Sequence, residues 1–100
     1  MLADGMRPIH PGEVLREEFL KPLKITPAAL AGALHVYAPR VDDLVAERLG
    51  ITADMATRLG RYFNTSARFW MNLQSTYALS VATAASGEAI ERGIKPLSDL

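Results

Sequence analysis

Residues 50–79, GITADMATRLGRYFNTSARFWMNLQSTYAL, decide how this chain folds. They read as two helices joined by a short polar turn. Thr52 is placed to cap the first, because a threonine hydroxyl accepts a bond from an amide of the opening turn. Met55, Ala56, Leu59 and Phe63 follow at helical spacing and mark one buried stripe. Asn64, Thr65 and Ser66 interrupt the pattern, with Thr65 or Ser66 as the next N-cap. Phe69, Trp70, Leu73 and Tyr77 then continue on a second helix. Phe69 lies roughly 100° around that helix from Trp70, so the helix is apolar on more than one side. A domain this small cannot easily cover both sides, and the excess predicts a dimer interface at Phe69, Trp70, Leu73 and Tyr77.

Working outward, Pro11 suits the first turn of an opening helix, with His10 before it and Glu13 near its positive end. Val14, Leu15, Phe19 and Leu23 are expected to face inward, and Pro22 and Lys24 mark the stop. Thr26 caps a second helix that Pro27 opens and whose stripe is Leu30, Ala31 and Leu34. A turn at His35, Val36 and Tyr37 leads to a third, with Pro39 in its first turn and Val41, Leu44 and Val45 inward. Beyond Tyr77 the chain is rich in small residues, and Ser86-Gly87 is expected to break the last helix. The expected layout is an extension over 1–6, one domain over 7–87 and a short helical or disordered tail over 88–100. No strand pattern, repeat or low-complexity tract appears. The fold class is all-α, with five helices.

One hundred residues suffice for a single core. With 49% apolar and 22% charged residues, the composition is that of an ordinary globular chain. The absence of cysteine excludes disulfides and thiolate metal sites and fits a reducing, cytoplasmic setting. No apolar run approaches the ~20 residues of a membrane helix, so no membrane partner is expected. The opening MLADGMRPIH has neither the basic lead nor the apolar core of a signal peptide. Eleven bases balance eleven acids, so any basic face must be local.

The stretch over 50–79, together with RPIHPGEVLREEFLKPL over 7–23, closely resembles HigA/VapI-type antitoxins, small helix-turn-helix proteins of the Xre repressor class. The likeness covers roughly residues 7–79 and begins just after Met6, which makes Met6 a candidate start. It implies a five-helix bundle of the lambda-repressor-like helix-turn-helix type. It also implies dimerisation through the last helix, binding to operator DNA, and a small basic ribonuclease toxin of the HigB/RelE kind as partner. An acidic surface would suit such a toxin, with Glu13, Glu17 and Glu18 as candidates.

Residues 26–44 fit the spacing of the helix-turn-helix, and the DNA-facing set becomes Thr26, Tyr37, Ala38, Pro39, Arg40, Asp42, Asp43 and Arg48. Three features depart from the family pattern. His35 holds the slot usually given to glycine, where φ is positive, at a cost of roughly 1 kcal/mol. Pro27 lacks the amide that would help grip a phosphate. On the third helix, Asp42 and Asp43 stand where Arg, Asn or Gln are common. From Ala38 to Arg48 two bases face three acids, so DNA binding is expected to be weak. Aspartate can still accept from cytosine N4, and Ala38 can touch a thymine methyl. Arg58, Arg61 and Arg68, with the amides near Ile51 and Thr52, are further candidates for phosphate.

Two histidines and no convergent ligand set imply no metal and no cofactor. No nucleophile stands beside a base, so no enzyme is expected. The reading is an antitoxin that represses its own operon as a homodimer and caps its toxin. Two alternatives stay open: a stand-alone Xre-type regulator, and a protein-interaction module with degraded DNA binding.

Overall fold

The computed structural model describes residues 7–98 and contains five helices. Helix α1 spans residues 11–23, α2 Pro27–Leu34, α3 Ala38–Val45, α4 Ala53–Phe63 and α5 Ala67–Gly93. No strand occurs among the described residues. The expected extension over 1–6 lies outside them.

Trp70 organises the core. Its side chain is 0% exposed, with ring centroids 5.0 Å from Phe19, 6.1 Å from Phe63 and 5.0 Å from Phe69. The indole N–H donates to the Thr65 hydroxyl at 2.9 Å, which satisfies its one polar atom. Ser66 is the cap of α5, accepting from the Phe69 amide at 3.0 Å. Leu15, Leu30, Val41, Leu44 and Leu59 complete the buried centre. The expected dimer set is therefore corrected at Trp70. Trp70 is interior, Leu73 packs against the core, and half-buried Tyr77 sits edge-on to His10 at 4.8 Å. Of the four, only Phe69 is exposed, at 37%.

Helix α1 departs from a simple 3.6-residue pattern. Its middle, Leu15–Leu20, is π-helical between α-helical turns at Pro11–Val14 and Lys21–Leu23. Bonding from i to i+5 places Leu15 and Leu20, five residues apart, on one buried face. The face rotates away from Leu23, which is 56% exposed and not inward as its spacing suggested.

The N-terminus of α1 is fixed by His10. Nδ1 of the buried imidazole accepts from the Gly12 amide at 2.8 Å. Gly12 itself lies against α3: a Cβ there would stand 1.8 Å from the Leu44 carbonyl oxygen. No other residue fits this contact unless the backbones separate.

Helix α5 runs unbroken through Ser86 and Gly87 to Gly93, where the Ile94 amide still reaches the Ile90 carbonyl at 2.8 Å. The expected break and the boundary after residue 87 are absent from the backbone. An interior glycine costs about 1 kcal/mol relative to alanine, and the surrounding Ala82, Ala84, Ala85 and Ala89 are the best helix formers. The outer part of α5 projects from the bundle, giving extents of 53 × 26 × 22 Å.

Trp70→Ala should lower folding stability by about 3–5 kcal/mol, the usual cost of emptying an aromatic core site, as urea titration will read. The second consequence is a pH dependence. Burial holds the His10 pKa below its ordinary value, opposed by the nearby Glu47 and Glu13 and aided by Arg16. The folded chain thus binds this proton less readily than the unfolded one, so the stabilisation is complete above about pH 6.5 and is lost as pH falls below it. Stability measured between about pH 7 and 5 should fall for the parent and fall less for His10→Asn, which can cap but cannot titrate.

Candidate nucleic-acid interface

Helices α2 and α3 form a helix-turn-helix whose turn is built as the spacing predicted. Thr26 caps α2, its hydroxyl accepting from the Ala29 amide at 3.1 Å. His35 ends α2 in the left-handed region at φ 58° and ψ 45°. The Val36 amide returns to the Ala31 carbonyl at 3.1 Å and the His35 amide to Gly32 at 3.3 Å, satisfying carbonyls that the helix end would leave open. Leu30, Ala31, Leu34, Val41 and Leu44 are buried between the two helices and the rest of the bundle.

Arg58 of α4 holds this turn. Its Nη1 donates to the Leu34 carbonyl at 2.9 Å and to that of His35 at 3.4 Å, while Nε meets Asp54 at 2.8 Å. The expectation of Arg58 as a phosphate ligand is thus corrected: its guanidinium braces the motif. The Ile51 amide, also expected to be open to phosphate, donates to Gln74 Oε1 at 2.7 Å. Arg61 and Arg68 remain exposed and without an ion-pair partner among the described residues.

The start of α3 is an open surface. Tyr37, at 75% exposure, precedes the helix without a side-chain cap bond, and Ala38, Pro39, Arg40 and Asp42 are exposed beside it. These five predicted residues come together. Asp43 and Arg48 do not join them. Arg48 meets the Asp43 carboxylate through Nε at 3.0 Å and Nη2 at 2.8 Å. Glu47 is likewise paired, with Arg16 of α1 at 3.1 Å. The expected excess of acids therefore disappears in three dimensions. Arg16, Lys21, Arg40 and Arg48 now stand against Glu17, Asp42, Asp43 and Glu47, and of these eight charges Arg40 and Asp42 have no ion-pair partner among the described residues. The surface offers one strong donor, one acceptor and the Ala38 methyl, a set able to read base edges.

Sequence reasoning missed Arg16 and assigned Arg58 to the wrong task. The Asp54–Arg58 pair at i,i+4 was legible; the reach of Arg58 across to the turn was not. Among the described residues no group of His, Asp or Glu could hold a metal, and no helix is long and apolar enough to cross a membrane.

No family model matches the chain. Virulence-associated protein I of Dichelobacter nodosus is 53% identical over 77 residues, spanning 77% of this chain and 71% of that protein. The structure of the Pseudomonas aeruginosa antitoxin HigA with the higBA promoter is 66% identical and covers 91% of this chain and 99% of its own, with a TM-score of 0.89. Antitoxin GraA in complex with its operator is 46% identical, covers 97% of this chain and 98% of its own, and has a TM-score of 0.88.

His35→Gly should raise stability by roughly 1 kcal/mol, because glycine carries no steric cost at this φ and the bonds from Arg58 go to backbone carbonyls. Urea titration will check it. Arg58→Ala should lower stability, since it removes the bonds that hold two carbonyls of the turn.

Proposed function

The chain belongs to the HigA/VapI-type antitoxin family of helix-turn-helix proteins, and from that membership we propose that it is a DNA-binding antitoxin that represses its own operon. The observation that carries this reading is the open N-terminal surface of α3, with Arg40 and Asp42 unpaired among the described residues and the turn before it braced by Arg58. Relatives in this family are named as antitoxins and helix-turn-helix regulators, not as enzymes.

The reading includes a homodimer, supported by the outer part of α5. Leu79 at 68% exposure and Ile90 at 51% stand eleven residues apart, which places them within about 20° on the helix surface. Ala82 and Ser86 lie between them and let a second helix approach closely. This surface replaces the one centred on Trp70. The toxin partner rests on the family alone. Two of its proposed acidic contacts lose their support, because Glu13 is bound by Arg7 at 2.7 Å and Glu17 by Lys21 at 2.9 Å. Those bonds also hold both carboxyls below the usual carboxylate range.

The test is titration of duplex DNA from the chain's own promoter at several salt concentrations. Each phosphate gripped contributes about −0.9 to the slope of log affinity against log salt. Arg40→Ala should weaken binding at least several-fold. Asp42→Asn should tighten binding to duplex generally, while Asp43→Asn should change little, because Arg48 already neutralises that carboxylate. Absence of binding at low salt would overturn the proposal. Leu79→Glu should shift sedimentation toward monomer while leaving the helix content intact.

A further inference from the structure

We propose that Arg16 and Glu47 form a latch that fixes the C-terminal end of α3, which makes Arg16 a positioning residue for DNA binding. The proposal rests on the reading of α3 as the DNA-facing helix.

The backbone after α3 carries the first part of the argument. Glu47 has φ 65°, in the left-handed region that favours glycine. The Glu47 amide returns to the Leu44 carbonyl at 3.0 Å, and the Arg48 amide to Asp43 at 2.8 Å. This is the helix ending in which glycine ordinarily holds the left-handed slot. A glutamate there carries a steric cost that glycine would avoid, and the turn itself has no use for the side chain.

The second part is where that side chain goes. Its carboxylate takes Arg16 Nη2 at 3.1 Å, across from α1. Arg16 Nη1 donates to the Val45 carbonyl, one of the last-turn oxygens that a helix leaves open. Arg16 Nε is turned by Glu17 at 3.0 Å, and Glu17 is held in turn by Lys21 at 2.9 Å. Gly12 of α1 meanwhile abuts the Leu44 carbonyl. Residues 44, 45 and 47 are therefore all gripped by α1, while the other end of α3 has no side-chain cap and faces solvent. An eight-residue helix is about 12 Å long, so a small rotation at the held end displaces the reading end by more.

Electrostatics and positioning make opposite forecasts for one substitution. Glu47→Gly removes a negative charge near the proposed DNA face and relieves the backbone. A role limited to charge or to folding would leave affinity equal or higher. The latch forecasts about tenfold weaker binding to the promoter duplex at fixed salt, with the thermal midpoint equal or higher. Arg16→Gln should weaken binding similarly, and the reversed pair R16E/E47R should recover part of the loss.

Amide exchange without DNA supplies the independent arm. Exchange at residues 44–49 should quicken in Glu47→Gly, while α4 stays as in the parent. If Glu47→Gly binds as tightly as the parent, or its exchange is unchanged, the latch is wrong. If the parent itself binds no duplex, the DNA reading fails and the exchange result alone decides the latch.

Discussion

The approach of Gly12 to the Leu44 carbonyl is the contact on which the other placements depend. A side chain there would meet that oxygen at 1.8 Å, so the N-terminus of α1 and the end of α3 stay together only while residue 12 is glycine. The same few residues carry the α1 cap, through the His10 imidazole, and the contact to α5, through Tyr77. Three helices thus meet at one small, buried and partly polar joint. Above it the Trp70 cluster supplies the apolar free energy that keeps α1, α4 and α5 together. The cluster stabilises the bundle, and the joint sets the angle at which α3 leaves it.

Charge is handled on the same principle. Summed along the sequence, the third helix looks poorly suited to a polyanion. Folding brings Arg16 in from α1 and turns Arg48 back onto Asp43, so the acids nearest the end of the helix are spent on internal pairs. What remains open lies at the start of α3, where helix-turn-helix proteins place their base contacts. Half-exposed ion pairs of this kind contribute little to stability in water. Their value here is geometric: they decide which charges remain available.

Much of this was legible from residue order. The caps at Thr26 and Thr52 and the core residues Leu30, Leu34, Val41, Leu44 and Leu59 followed from local chemistry and helical period, whereas the positive φ at His35 followed from the family resemblance. Those features depend on neighbours within a turn or two. The errors have physical causes of a different range. The π-helical middle of α1 changes the period that any stripe argument assumes, which is why Leu20 is buried and Leu23 is not. Gly87 looked like a break because its cost is local, while the alanines that offset it act over the whole segment. Trp70 was assigned to a surface because an apolar excess on one helix does not say which side the other helices cover. The bonds that Arg16 makes to Val45 and Glu47, and Arg58 to Leu34 and His35, each span more than twenty residues, beyond the reach of spacing.

The central claim is that the start of α3, held from behind by α1 and braced at the turn by Arg58, is the surface that meets DNA. Backbone amide resonances of the full chain, followed while its own promoter duplex is added, test this most directly. The account predicts the largest shifts at Tyr37, Ala38, Arg40 and Asp42 and around the N-terminus of α2, with a scrambled duplex producing smaller ones. Shifts confined to the outer part of α5, with α2 and α3 unmoved, would contradict it.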